Sequence, residues 1–395
     1  MGSRPVSLLL ISYSYPPVLG GSEIEAQRVC AALLRRGHRV KVLCAGGAPM
    51  PNVADWTDPS GVPVRIFARR WGGPRRDYLF ALGVAWALWK ERRNYQLVYF
   101  LMQGLHLAVG LPVARALGKA IVIKISGSSI ITMMRQTFLG RLELDWLKKW
   151  AYRVMILNAG MAEEAAAAGF RPSHLLWMPN PVDTSEFTPV SAGERRALRA
   201  QLHIPDRAAV LIYVGRLAPE KELPSLLRAF AAVRQRVPGA LLTIVGEGPD
   251  REALTMLTGR LELTDSVRFT GRQTIAEVRQ WLQAADVFAL VSSAEGFPCS
   301  LVEAMAVALP AVVSSIPANL QLIDAGVHGL HAALRDEQAI AAALVELLSD
   351  PALRARMGEA ARRRVVENYS MDKVLDRYEA LFYEALGRPR ERVPC

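Results

Sequence analysis

The sequence predicts an α/β protein built as two doubly wound, parallel-sheet domains, and three observations carry that reading. Short, continuous apolar runs alternate with helical periods along most of the chain, the pattern of strands buried on both faces. The alternation occurs twice, with a Pro-rich break between. At 395 residues the chain also exceeds what one hydrophobic core usually serves.

In the first half, "VSLLLISY" reads as the opening strand, "SYPPVLGGSE" as a Gly-containing turn, and "IEAQRVCAALLRR" as a helix stopped at Gly37 before a second strand, "HRVKVLC". Strand, helix, strand is a βαβ unit, which favours a parallel sheet. Arg4 is the single basic residue ahead of the opening run and no small-residue cleavage site follows it, so a strand is expected there and not a signal peptide. Further strands are expected at Leu97 to Leu101, Ala120 to Ser126 and Arg153 to Ala159. "MPNPVDTSEFTPV" has the composition of a linker, and it divides an expected first domain, residues 1–182, from a second, residues 183–368.

The second half repeats the logic, with strands in "AAVLIYVG", "ALLTIVG", "SVRFTG", "DVFALVS" and "AVVSS". Helices are expected over Glu222 to Arg236, from Asp250 and from Thr274. Residues 369–395 supply a final amphipathic helix, "MDKVLDRYEALFYEALG", and a basic tail. Ligands of such sheets bind beyond the strand carboxyl ends, so chemistry is expected in a cleft where the two domains face each other.

Hydrophobic residues make up 51% of the chain and charged residues 22%, a balance that excludes a mainly disordered protein. The formal charge of +11 implies an attraction to phosphates on a nucleotide or an anionic membrane surface. Nucleic acid is not expected, because no binding motif accompanies the charge. Cys30, Cys44, Cys299 and Cys395 lie far apart, without a C-x-x-C pair or a His at ligand spacing, so neither a metal site nor a disulfide framework is expected. A reducing cytoplasm is the simplest setting. No apolar run reaches the roughly 20 residues of a spanning helix. One segment, "RRWGGPRRDYLFALGVAWALWKERR", sets Trp71, Trp86 and Trp89 among clustered Arg and Lys. It suits a peripheral contact with an anionic bilayer, and equally a buried helix with charged ends.

Three stretches carry the candidate chemistry. In "SSAEGFPCSLVEAMAVALP", Glu295 falls on the loop after a strand, and Ser300 is expected to start a helix with Glu303 in its first turn. The turn lets both carboxylates meet one ligand, and the helix N-terminus suits a phosphate; Ser300 to Glu303 also matches a capping box, which would use Glu303 merely to close its own helix. In "YVGRLAPEKEL", Arg216 follows a strand and Lys221 precedes a helix, a fork and a point charge placed for a diphosphate. In "PPVLGGSE", Gly20 and Gly21 allow backbone conformations closed to other residues and a close approach to a ligand. The dinucleotide fingerprint G-x-G-x-x-G is absent there and at "GEGPDR", from Gly246, which weakens a dehydrogenase reading.

Together with "VGEGPDREAL" and "IPANLQLI", these stretches resemble the retaining glycosyltransferases of family four, which have the two-domain GT-B fold. The resemblance runs from residue 6 to about residue 386 and is sharpest in the E-x7-E motif from Glu295 to Glu303. It implies a nucleotide-sugar donor whose diphosphate is held by Arg216 and Lys221, whose ribose is held by Glu303 and whose sugar is held by Glu295. Gly21, Gly246, Gly296, Phe297 and Ser300 fall to the donor side by the same resemblance, and no metal ion is implied, since no D-x-D triplet occurs. The acceptor hydroxyl would attack from the leaving-group face and pass its proton to the departing phosphate. The acceptor implied is a saccharide or lipid-linked sugar of polysaccharide or glycolipid assembly, and the last helix would cross back to the first domain. The chain departs from the family where many members carry a His after the strand before the acceptor loop: "IVIKISGSS" has Ser126 there, a poor proton acceptor, and His106 in "MQGLHLAVG" is the candidate substitute. A nucleotide-sugar hydrolase or epimerase, and a noncatalytic nucleotide-sugar-binding scaffold, are the alternative readings.

Overall fold

The structure is a computed structural model that describes residues 5–17, 21–46, 50–51, 53–67, 73–101 and 104–388. Gly20, Trp71 and the basic tail beyond Arg388 lie outside the described residues. The chain forms two compact units, one of Met1–Pro181 with Met371–Cys395 and the other of Val182–Ser370.

The first unit is built on eight strands: β1 (Ser7–Ser12), β2 (Arg39–Cys44), β3 (Asp55–Thr57), β4 (Pro63–Ile66), β5 (Leu97–Leu101), β6 (Ala120–Lys124), β7 (Arg153–Ile156) and β8 (Leu175–Trp177). Their order across the sheet is β3-β4-β2-β1-β5-β6-β7-β8. All neighbours are parallel except the edge pair β3 and β4. At the centre, Leu10 of β1 stands between Val42 of β2 and Tyr99 of β5. Helices cover both faces, so central strands are buried along their whole length; every residue of β5 is buried. Between β1 and β5 the winding reverses, which opens a crevice at the strand carboxyl ends.

The second unit has six parallel strands: β9 (Ala209–Val214), β10 (Ala240–Val245), β11 (Val267–Gly271), β12 (Val287–Leu290), β13 (Ala311–Ser314) and β14 (Gly329–Ala332), in the order β11-β10-β9-β12-β13-β14. Its reversal falls between β9 and β12. Both sheets are therefore doubly wound, and each has one switch point.

The helix Met371–Ala385 packs on the helix Gly21–Arg35 within the first unit, where Val374, Leu375, Tyr378, Leu381 and Phe382 join its core. Under it, the buried Lys124 ammonium donates to Glu25 Oε1 (2.9 Å), Asn180 Oδ1 (2.7 Å) and the Tyr378 hydroxyl (3.1 Å). Each of its three protons has an acceptor, which is the condition on which a charge survives burial. At the rim, Arg36 holds Asp372, Asp376 and Glu379 of the same helix.

Candidate active site

The switch point of the second unit brings together loops far apart in sequence. Strand β9 ends at Val214, and Gly215 to Ala218 lead into a single 3-10 turn, Pro219–Lys221. Glu222 then adopts a left-handed conformation (φ 52°) that reverses the chain into the helix Leu223–Arg236. Beside it, the loop after β12 is stapled to this turn: Ser293 N–H donates to the Glu220 carbonyl (2.8 Å). That staple sets Lys221 against Glu295, with Nζ 2.8 Å from Oε1, across 74 residues of sequence. Both side chains are mostly covered, 17% and 10% exposed respectively.

Glu295 is positioned from beneath. The Ser292 hydroxyl donates to the same Oε1 (2.7 Å), the Ser314 hydroxyl donates to the Ser292 carbonyl (2.5 Å), and Asn319 Nδ2 donates to the Ser314 carbonyl (3.0 Å). Ser292, Ser314 and Asn319 are all buried. None of these three stands out from the sequence; the signal for the two serines is the pair of "VSS" runs after β12 and at the end of β13, and for Asn319 only its place in "IPANLQLI".

Arg216 stands on the same loop as Lys221 but reaches outward, 66% exposed, to Glu220 Oε1 at 2.7 Å. Burial opposes ionisation of Glu220, but a backbone amide and Arg216 outweigh it and hold this carboxyl below its ordinary range. Arg335 does the same for Glu222, at 2.6 Å. The loop's own carbonyl is fixed by the Tyr213 hydroxyl, which donates to Arg216 O (2.9 Å).

Three expectations change here. The helix after Glu295 runs Cys299–Ala306 with Pro298 at its N-cap and no side-chain cap, so Ser300 is its second residue and not its start. Glu303 is consequently the fifth residue, in the second turn, and the Ser300–Glu303 capping box does not form, because the proline already turns the chain one residue earlier. Gly21 is the first residue of a regular helix, outside the left-handed region, and a Cβ there would meet nothing within 4 Å.

Gly246 has a structural cause. Its φ is +138°, and a Cβ would stand 1.9 Å from the Gly215 carbonyl oxygen. The loops after β9 and β10 are packed backbone to backbone, with Leu217 N–H donating to Glu247 O (3.0 Å) and Asp250 N–H to Leu217 O (3.1 Å). Phe297 packs edge-on against Tyr369, ring centroids 6.0 Å apart. Gly296 lies in the loop between Glu295 and that ring.

The switch point of the first unit holds a second site. Tyr13, just past β1, and Gly104, Leu105 and His106, just past β5, join Asp77 and Phe80 of the helix Gly73–Lys90 to line a cavity of about 350 Å³. The Tyr13 hydroxyl donates to Asp77, and Arg76 Nε donates to the Tyr13 oxygen (2.7 Å). Tyr13, Arg76 and Asp77 were not picked out from sequence. His106 is buried beside Phe80, 5.0 Å between ring centroids, and burial pushes its pKa down to about 4. It is neutral near pH 7, and its Nε2 has no hydrogen-bond partner among the described residues. Gly104 seats this ring: at φ +145°, its Cβ would lie 3.2 Å from the imidazole. Ser126, just past β6, is not among the described residues lining that cavity; its hydroxyl is buried, with no hydrogen-bond partner among the described residues.

The sequence matches two families that divide it between them. Residues 19–186 match the family described as Glycosyltransferase Family 4, and residues 194–364 the one described as Glycosyl transferases group 1. The chain belongs to glycosyltransferase family four. The N-acetyl-alpha-D-glucosaminyl L-malate synthase of Bacillus anthracis is 24% identical to this glycosyltransferase over 384 residues, 96% of this chain and 97% of that one. The D-inositol 3-phosphate glycosyltransferase of Salinispora arenicola is 35% identical over 218 residues, 52% of this chain and 48% of that one. Among solved structures, Anabaena HepE in complex with UDP and glucose superposes with a TM-score of 0.80 at 20% identity, over 96% of this chain and 100% of that chain. The fold is GT-B, two parallel-sheet domains.

Proposed function

We propose that this glycosyltransferase is a retaining, metal-independent hexosyltransferase that moves a sugar from a nucleoside-diphosphate donor to a saccharide or lipid-linked acceptor. The observation that carries the reading is the Lys221–Glu295 pair at the second switch point, next to Arg216 on one continuous loop. Each cation is matched to a carboxylate of the site, so an arriving diphosphate competes for groups already held in position. As the bond from the anomeric carbon to the diphosphate breaks, negative charge grows on the leaving oxygen, and Arg216, Lys221 and the helix start at Cys299 stabilise it as it forms. Preorganised donors of this kind are worth about 3 kcal/mol each, roughly a hundredfold in rate. Glu295 is assigned to the sugar hydroxyls and Glu303 to the ribose.

The acceptor oxygen bonds to the anomeric carbon on the face the phosphate leaves, and its proton passes to the departing phosphate. Neutral His106 accepts a hydrogen bond from an acceptor hydroxyl but is too weak a base to take that proton at pH 7. The reaction is assigned to the cytoplasm, where Cys30, Cys44 and Cys299, all free thiols, stay reduced. The test is incubation with a panel of radiolabelled nucleotide sugars and glycan or lipid-linked acceptors. Transfer with retained anomeric configuration in the presence of a chelator supports the reading; free sugar, an epimer, an inverted product or binding without turnover refutes it.

A further inference from the structure

The helix Gly73–Lys90 is apolar on two opposite sides. At about 100° per residue, Phe80, Ala81, Val84, Ala87 and Leu88 fall on one arc, which is buried in the first unit. Tyr78, Leu79, Leu82, Trp86 and Trp89 fall on the opposite arc, which faces solvent. Leu82 is 64% exposed, Trp89 59% and Trp86 46%. Isolated exposed apolar residues need no explanation, but a contiguous stripe about three turns long does. A helix apolar all round belongs where both sides are covered.

The charges around the stripe say what covers it. Lys90 stands 4.3 Å from the Trp86 ring and Arg92 4.7 Å from the Trp89 ring, and Arg75, Lys90 and Arg93 are exposed. The first turn carries Arg75 and Arg76 and no acidic residue, an arrangement unfavourable at the positive end of a helix dipole unless anions lie nearby. The acidic neighbours point elsewhere: Glu91 is engaged by Lys41 (2.6 Å) and Arg65 (3.0 Å), and Asp77 by the Tyr13 hydroxyl. A second copy of this face would bring cations against cations. Indole rings beside cations on an apolar stripe are the composition of an interfacial helix, with rings at the acyl boundary and charges at the phosphates. No described helix is long and apolar enough to cross a membrane, so the contact is lateral.

We propose that the outward face of the helix Gly73–Lys90 docks the protein on an anionic lipid bilayer, with Leu82, Trp86 and Trp89 inserted and Arg75, Lys90 and Arg93 on headgroup phosphates. This is independent of the sugar-transfer reading, since it requires no turnover. The experiment is co-sedimentation of the full chain with vesicles of phosphatidylcholine alone or mixed with phosphatidylglycerol. Binding to the mixed vesicles, weakened by salt, is expected. Leu82→Ser with Trp86→Ser should reduce partitioning about tenfold or more, and Lys90→Glu with Arg93→Glu at least fivefold per charge, since each reversal loses more than the roughly 1 kcal/mol of one neutralised cation. Unchanged melting temperature and nucleoside-diphosphate affinity in both variants would show that the fold survives. The proposal falls if the parent ignores anionic vesicles, if both variants sediment like the parent, or if the stripe instead mediates a dimer that Leu82→Ser dissolves in light scattering without any vesicle binding.

Discussion

The Lys221–Glu295 pair permits a quantitative test of the candidate site by a double-mutant cycle. Two unit charges about 4 Å apart at an effective dielectric constant of about 20 attract by about 4 kcal/mol before desolvation. With the side chains only 17% and 10% exposed, removing one partner approaches the buried case, where the orphaned charge costs roughly 3–5 kcal/mol. Lys221→Met should lower the unfolding free energy by about 3 kcal/mol, at the bottom of that range because some water reaches the site. Glu295→Gln should cost less, about 2 kcal/mol, since the amide oxygen still accepts from Ser292. The double variant should lose about 3 kcal/mol in total, leaving a coupling of about 2 kcal/mol. Urea unfolding of the four proteins measures this; a coupling below about 0.5 kcal/mol would sink the claim that the pair is an energetic unit. Ligand binding separates the two roles. Lys221→Met should weaken a nucleoside diphosphate by about 10–100-fold, the worth of one charge-assisted hydrogen bond. Glu295→Gln should leave that affinity intact or raise it, since the competing carboxylate is gone, while transfer falls about a hundredfold or more. Calorimetry with UDP, GDP and ADP supplies the affinities. Equal losses of affinity in both variants, or transfer by Glu295→Gln at the parent rate, would show the assignment to be mistaken.

Two further predictions concern stability. Gly246→Ala forces a Cβ to 1.9 Å from the Gly215 carbonyl at a φ of +138° and should cost more than about 3 kcal/mol, read by denaturant midpoint; a loss under about 1 kcal/mol would mean the two loops can part cheaply. Glu143 is buried, and burial lifts its pKa to about 7 against a backbone hydrogen bond from Ala108 that lowers it. Between its free value of 4.5 and about 7, the native state keeps a proton that the unfolded chain has released. Stability therefore falls as pH rises through that window, by an amount on the order of 3 kcal/mol that is complete above it. Glu143→Gln should raise the melting temperature at about pH 8 and change it little at about pH 4, and a pH-independent effect would rule out the carboxyl as its source.

The pairing of Lys221 with Glu295 also marks where sequence reading stopped. Strands such as β5 and β9 were legible because a strand covered on both faces must be apolar at every position. The short strands β3, β4, β8 and β14, at or next to the sheet edges, were not. Three or four residues with exposed or half-buried positions give neither alternation nor a run. Among site residues, Arg216, Lys221, Glu295 and Glu303 stood out by motif, whereas Ser292, Ser314 and Asn319 beneath Glu295 did not, because a buried serine at a strand end looks like any turn residue.

By itself, then, the order of amino acids determined the two wound sheets and which loops end at their carboxyl edges, since periodicity and turn chemistry are local. Tertiary structure alone decided what meets across those edges: a lysine and a carboxylate 74 residues apart, a buried imidazole stacked beside Tyr13, and which side of one apolar helix was left facing water. Contacts of that kind depend on strand order, and strand order comes from how the whole sheet closes its core, which no short stretch of chain encodes.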